Sequence, residues 1–444
     1  MHRALSLVVL SVSLFLFFSV LMLFNELNFV VLISSFFIIG FIALLFLNLK
    51  LGLLYYLFIR SFLDVFSKSG ISFGVGAENL ASYMTVAVII VSIFFLLFKK
   101  INIFKIRSFR LLICFIAFCS FSSIFSIKPV ISFIDLLRFV GLLMIGLISF
   151  HLFDKSELRK IFISFVGATI LPIFFSIWQI GKDVGIVDAG FKRIYGTFVH
   201  PNMFAFFLLT IMIVLIVNLV YNKFKINSAF NLILLLIYSI FLLLTFTRAA
   251  WLAAILGCAI LAVLVREYRF KILGALILII LLFSPLIIQR FADVGHGRTH
   301  GYYTDSWTWR VKTWNEGLPL FYEHPVMGVG LGMFPEMKSV YAHNDYVRLL
   351  VETGLPGCIL YILIYISLAI GNYKVFRNSS DDIVRQFSLT VTILSCLYLL
   401  VSFSDNLSRS ASTLTYFIVI VALAEKCQTN SCVVSSKRIH NETL

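Results

Sequence analysis

The residues best suited to chemistry in this chain are cations and imidazoles at the edges of long apolar runs. Arg248 stands in Thr247-Arg248-Ala249-Ala250-Trp251, where the runs on either side leave almost no loop. An arginine at the bilayer centre costs about 2.5–3.5 kcal/mol even on a lenient scale, so Arg248 belongs at a helix end near the membrane surface. There it either snorkels to headgroups or forms an anion site, because a permanently charged planar fork suits phosphate. Arg310 stands in Trp307-Thr308-Trp309-Arg310-Val311-Lys312-Thr313-Trp314. Trp307, Val311, Trp314, Leu318 and Phe321 recur at helical spacing and mark one apolar face. Arg310 falls about 60° from Trp307 on the flank of that face, with Lys312 and Glu316 opposite. The pattern is that of a helix lying in the membrane interface, with Arg310 either an incidental cation or a second phosphate-binding one.

His343 precedes Asn344 and Asp345, either of which can cap a helix that stops near Gly354, with Pro356 in the first turn of the next span. A helix N-terminus disfavours imidazolium. His343 is therefore either a structural, hydrogen-bonded ring or the neutral proton acceptor that a general base must be. Arg348 and Glu352 are four apart and read as a helix ion pair. The stretch Arg193-Ile194-Tyr195-Gly196-Thr197-Phe198-Val199-His200-Pro201-Asn202 is a polar turn before a span. It supplies either turn chemistry with a cap, or a contact from Arg193, His200 or Asn202 to a polar ligand. His324-Pro325-Val326-Met327-Gly328-Val329-Gly330-Leu331-Gly332 lacks the spacing of a dinucleotide or Walker loop. It reads as a turn or as a small nest of amides for an anion.

These residues are positioned by a chain that is 61% apolar or aromatic and only 13% charged over 444 residues, with 48 Phe. An ordinary soluble domain has about a quarter charged residues. The composition excludes a soluble enzyme, a disordered chain and a disulfide scaffold. It points to an all-α polytopic transmembrane bundle, since apolar runs reach span length without the alternation of barrel strands. Such runs occur near 4–24, 28–48, 80–98, 109–126, 130–150, 161–180, 202–220, 229–246, 248–265, 272–288, 347–371, 386–403 and 410–424. The stretch 51–66 is shorter, carries Arg60 and Asp64, and reads as re-entrant. About 12–14 spans are expected.

The net charge of +15 is accounted for by every second connection: Lys99–Arg110, Lys155–Lys160, Lys223 with Lys225, Arg266–Lys271, Lys374–Arg385 and the tail. The positive-inside rule makes those cytoplasmic. The outward connections are then 181–201, the turn at Arg248, 289–346 and 404–409. The expected organisation is transmembrane helices over 1–288, one large periplasmic loop with short amphipathic helices over 289–346, helices over 347–424 and a cytoplasmic tail over 425–444. The loop 289–346 holds three of the five Trp and four of the eight His, so function is expected where it meets the outer helix ends. Five of the seven Cys lie in apolar runs and none in that loop, so no disulfide or zinc framework is indicated. No basic soluble module supports nucleic-acid binding. No outward Asp-x-Asp, His-Glu-x-x-His or Gly-x-Ser-x-Gly occurs.

In order and spacing, these motifs resemble the O-antigen ligase and polymerase superfamily of bacterial membrane glycosyltransferases. The matching pieces are Gly196–Asn202, Thr247–Trp251, Arg310 with Trp314, His324–Gly330, and His343-Asn344-Asp345 through Glu352-Thr353-Gly354. The resemblance implies an undecaprenyl-diphosphate-linked glycan donor, used on the periplasmic face of the bacterial inner membrane without cofactor or metal. It implies that Arg248 and Arg310 hold the diphosphate and that His343 activates the acceptor hydroxyl in a single inverting displacement. Arg193, His200, Asn202, Trp314, His324 and Asn344 are the further candidates for substrate contact. The acceptor is lipid A–core oligosaccharide in a ligase, or a second lipid-linked glycan in an O-antigen or exopolysaccharide polymerase. Ligases often carry a second His two residues before the one matching His343; here that residue is Tyr341, which weighs toward polymerase. A lipid-linked glycan flippase or transporter is the reading from another class, disfavoured because no repeat is seen and the notable polar residues collect at one face.

Overall fold

The computed structural model describes residues 40–68, 80–188, 190–292 and 306–442. The expected span at 4–24, and most of that at 28–48, lie outside the described residues. The described chain is all-α apart from one antiparallel hairpin, β1 (Ile186–Asp188) with β2 (Phe191–Arg193). Its main helices are α1 (Leu49–Ile59), α2 (Leu80–Phe98), α3 (Arg110–Ile124), α4 (Pro129–Leu152), α5 (Leu158–Gly181), α6 (Pro201–Tyr221), α7 (Ser228–Leu244), α8 (Arg248–Leu264), α9 (Arg269–Leu282), α10 (Ser284–Ala292), α11 (Ser306–Glu323), α12 (Met333–Lys338), α13 (Asp345–Asn378), α14 (Asp382–Ser402) and α15 (Ala411–Glu442). Helix starts follow local chemistry: Asn48, Asn227, Asn344 and Asp381 each accept a first-turn amide on the side chain. Helices α6 and α14 are the most buried. Helix α14 packs on α13, α15, α6 and α8, while α4 packs on α15 and α2.

Polar contacts divide the bundle into two ends. At one end the basic connections meet: Lys155 pairs with Asp381 at 3.0 Å, Lys223 with Asp382 at 2.9 Å and Lys426 with Asp154 at 3.5 Å. Arg107 and Ser108 bond Glu425 there. The hairpin β1–β2, the start of α6, the start of α8, Arg290 and the turn 403–410 meet at the opposite end. The alternation of basic and non-basic connections in the sequence therefore corresponds to two physical ends of one bundle.

Seven described helices are long and apolar enough to cross a membrane, or eight counting the α8–α9 pair. The 12–14 spans expected from apolar runs were counted over the whole chain, and two of those runs lie wholly or mostly outside the described residues; within the described residues the remaining differences have local reasons. The runs at 248–265 and 272–288 form a pair bent by 115° rather than two straight spans; the chain leaves at Arg248 and is back at the same end by Arg290. The run at 229–246 gives α7, which has 17 residues. The run at 410–424 opens α15, whose second half is polar. The stretch 51–66 gives the 11-residue α1 and a 3-10 turn, too short for a full crossing. Its two charges pair, with Arg60 to Asp64 at 2.9 Å.

The glycine-rich segment after α11 does not form an amide nest. Its amides bond the kink of α13: Val329 N to Val351 O at 3.0 Å and Gly330 N to Glu352 O at 2.9 Å. The carbonyls of Met327, Val329 and Leu331 take hydroxyls from Ser122, Ser126 and Ser132. The segment is thus sewn between α13 and the α3–α4 turn. Gly354 breaks α13 at φ 65°, ψ −174°, a conformation essentially confined to glycine. A Cβ there would collide with the carbonyl of Val326, and one on Gly328 with the backbone of Glu352. Gly354→Ala and Gly328→Ala should each lower the thermal midpoint of the detergent-solubilised protein sharply. Gly274→Ala, in a helix with open space around it, should hold or raise that midpoint, adding up to about 1 kcal/mol of stability.

Candidate active site

His343 is held just before α13 at φ 47°, in the left-handed region. Asn344 is the cap: its Oδ1 accepts from Tyr346 N at 2.9 Å and Val347 N at 3.1 Å. That leaves the His343 ring free of capping duty. Its Nδ1 lies 3.1 Å from Asp405 Oδ1. Trp309 and His200 flank it, with ring centroids at 5.5 and 6.2 Å.

Asp405 lies in the turn between α14 and α15 and is nearly buried. It accepts Asn202 Nδ2 at 2.6 Å and its neighbour Asn406 N at 2.8 Å. Burial alone would raise its carboxyl. The hydrogen bond from His343, with the imidazoles of His343 and His200 close by, outweighs burial and holds it well below the usual carboxylate range. An ionised Asp405 facing Nδ1 fixes the tautomer with hydrogen on Nδ1, and Nε2 becomes the accepting nitrogen.

Behind Asp405 runs a chain of polar groups from three elements. Arg193 Nη2 donates to Asn202 Oδ1 at 2.5 Å and Thr247 Oγ1 at 3.0 Å, and its Nε to Thr245 O at 2.8 Å. Asp188 receives Arg193 Nη1 at 2.9 Å and Arg290 Nη2 at 2.6 Å. Burial brings the Arg193 guanidinium down to about 10. Asp188 is pushed up by burial but carried below its ordinary value by the two arginines. Arg193 and Asn202 thus brace Asp405, with every polar group of the chain satisfied.

Arg310 contrasts with these. It is largely buried on α11, yet its guanidinium makes no hydrogen bond to a described residue, and its Nε is enclosed without a partner. It is close enough to Asp405 and Asp188 to feel both charges, though burial still lowers its affinity for its proton. The helix predicted around Trp307–Phe321 is present, but its buried side is rotated from the apolar stripe toward Thr313 and Gly317, which pack on the protein. Helix α11 lies against α13 and α12, and that rotation turns Arg310 inward. Trp314 Nε1 donates to Ala342 O at 2.7 Å, tying α11 to the residue before His343.

Of the other expected site residues, Arg248 is partly exposed at the first position of α8, next to Thr247 of the braced chain. His200 caps α6 through Nδ1, which accepts Asn202 N at 3.2 Å. His324 is exposed at the end of α11 and enters none of these contacts. Arg348 and Glu352 form the ion pair read from their spacing, at 2.7 Å and fully buried. Sequence reasoning did not single out Asp405, Asp188 or Arg290. The available signal for Asp405 was an acid in an outward turn between two apolar runs.

Burial, with Arg193 and His343 nearby, depresses the His200 imidazole to about 4 despite Asp405. In the unfolded chain its pKa is about 6.5, so the unfolded state binds the extra proton between those values. Stability from His200 is complete above about pH 6.5 and is lost as pH falls toward 4, by up to about 3 kcal/mol. Thermal melts in detergent across that range should show the loss, and His200→Asn, which keeps a capping oxygen, should flatten it.

Residues 233–362 match the family model described as O-antigen ligase. The matched stretch runs from α7 through Arg248, Arg310 and His343 to just past the Gly354 kink. No curated protein matches the chain. Over that stretch, which takes in the segment carrying Arg248, Arg310 and His343, the chain is similar to the O-antigen ligase family.

Proposed function

We propose that the protein transfers a glycan from an undecaprenyl-diphosphate donor to a saccharide hydroxyl on the periplasmic face of the bacterial inner membrane. The observation that carries this reading is an oriented imidazole, His343 on Asp405, with a half-buried guanidinium nearby, Arg310, whose enclosed Nε no described residue satisfies. The end holding them is opposite the basic connections, which the positive-inside rule assigns to the cytoplasm.

In this reading His343 Nε2 takes the proton of the acceptor hydroxyl as that oxygen bonds to the anomeric carbon. The bond from that carbon to the diphosphate oxygen breaks at the same time, and the electron pair leaves with undecaprenyl diphosphate. Attack opposite the leaving group inverts the anomeric centre. Asp405 holds the imidazole in register and stabilises the imidazolium that forms. Arg310, with Arg248, meets the charge that grows on the diphosphate, an interaction stronger in the transition state than before it. No step calls for a metal ion or a nucleotide. Lipid A–core oligosaccharide is the acceptor in a ligase, and a second lipid-linked glycan in a polymerase; the chemistry at His343 is the same for both.

Purified protein in liposomes, given lipid-linked glycan and each acceptor in the presence of EDTA, should form product of inverted configuration, as read by NMR of the new linkage. Arg248→Ala, Arg310→Ala and His343→Ala should abolish transfer while leaving insertion intact. Asp405→Asn should reduce the rate by about 100-fold or more, since the amide can support the wrong tautomer. Full activity of His343→Ala would remove the base assignment. A requirement for added divalent metal would remove the role given to the arginines.

A further inference from the structure

A second cluster of charges lies on the other side of the turn that carries Asp405. Arg348 is at its centre, fully buried, bonded to Glu352, Asp345 and Ser408. Asp135 of α4 lies 3.9 Å from it. Two further arginines flank Asp135: Arg138 donates Nη2 to Oδ1 at 2.6 Å, and Arg409, from the 403–410 turn, approaches the same oxygen at 3.7 Å. Three guanidiniums face three carboxylates, so net charge does not set the outer pair apart.

Their unused donors do. Every nitrogen of Arg348 has a partner. Arg138 makes one side-chain hydrogen bond to a described residue, and Arg409 makes none. Nη1 of each is enclosed without a hydrogen bond, as is Oδ2 of Asp135; Arg409 Nη1 has only its 3.7 Å approach to Asp135, and that Oδ2 only its 3.9 Å approach to Arg348. A buried donor left unmade costs about 1–3 kcal/mol, more on a charged group, so the pair is built for an acceptor-rich ligand. Phosphate matches a guanidinium fork, and two forks match a phosphate better than one.

The surroundings place that site on the lipid-facing side of α4, ten residues into a 24-residue helix. Arg138 lies about 13 Å along α4 from Pro129 at 1.5 Å per residue. The neighbouring Phe133, Ile134 and Leu137 are exposed apolar side chains that face outward from the bundle. Arg409 stacks 5.1 Å over the ring of Tyr341, itself 48% exposed and two residues before His343. One short turn therefore carries Asp405 toward Asn202 of α6 and Arg409 toward Asp135 of α4.

We propose that Arg138 and Arg409 form a second phosphate site, which seats the phosphate of a membrane-anchored acceptor while Arg310 faces the donor. This rests on the transferase reading above, and it gives the acceptor a phosphate seat separate from the one facing the donor. Tyr341 offers its ring to the acceptor's sugar beside that phosphate.

The test uses the full-length protein in phosphatidylcholine nanodiscs. It is titrated with a diphosphorylated acceptor glycolipid and with the same glycolipid stripped of phosphate, and bound lipid is read by native mass spectrometry. Wild type should retain the phosphorylated form at least tenfold more tightly. Arg138→Gln and Arg409→Gln should each erase that preference, and Arg409→Lys should keep part of it. In a transfer assay the same Gln variants should raise KM for acceptor and leave KM for donor unchanged. Absence of a preference in wild type overturns the site without relying on any variant, and so does a preference that survives both Gln changes. Displacement of the glycolipid by equimolar phosphatidylglycerol would make this a general headgroup site and refute the acceptor assignment. Binding does not require turnover. Selective binding without transfer would count against the transferase reading while upholding the phosphate site.

Discussion

Everything at the active end depends on charge that an apolar bundle must compensate internally. Arg348 is fully buried, and its partners come from α13 itself and from the turn before α15. Removing one partner of such a buried set costs about 3–5 kcal/mol. That makes the cluster a rigid fastening between helices that lack a hydrophobic reason to align in lipid. The turn fastened in this way carries Asp405, and the helix carries His343 at its entrance. The 3.1 Å contact between them is therefore set by Arg348 and not by the two residues alone.

The site is a contrast between satisfied and unsatisfied arginines. Arg193 and Arg290 share Asp188, and Arg193 also bonds Asn202, Thr245 and Thr247, so they serve as scaffold. Arg310, Arg138 and Arg409 keep buried nitrogens without hydrogen bonds, and the first is in the stretch that matches the O-antigen ligase model. A pre-formed network that leaves chosen donors open costs stability and gives pre-organisation, which suits stabilisation of a leaving diphosphate. The glycine-rich segment adds to that rigidity. Its amides are occupied by the α13 kink, so it acts as a strap on the helix below His343 rather than as an anion binder.

Much of this was legible in the sequence, for identifiable reasons. Apolar runs gave the helices, and alternating basic connections gave the two ends, because both follow from local composition. Asn344 as cap, the break near Gly354 and the Arg348–Glu352 pair were readable because each is set within a few residues. Span count was less legible: length alone does not reveal that α8 and α9 meet at 115° or that α1 stops after 11 residues. The partner of His343 was out of reach, since Asp405 is 62 residues away and only packing brings it close. The rotation of α11 that turns Arg310 inward was likewise invisible, because Thr313 and Gly317 carry no apolar signal and are buried by their fit against the protein.

The central claim is that an oriented imidazole and an open guanidinium share one pocket with a pyrophosphate leaving group. An experimental structure of the protein with undecaprenyl diphosphate bound tests it most directly. The account predicts diphosphate oxygens within about 2.6–3.2 Å of Arg310, on the His343 side of the bundle. A diphosphate resolved at the end that carries Lys155 and Lys223, or one out of reach of both Arg310 and His343, would contradict it.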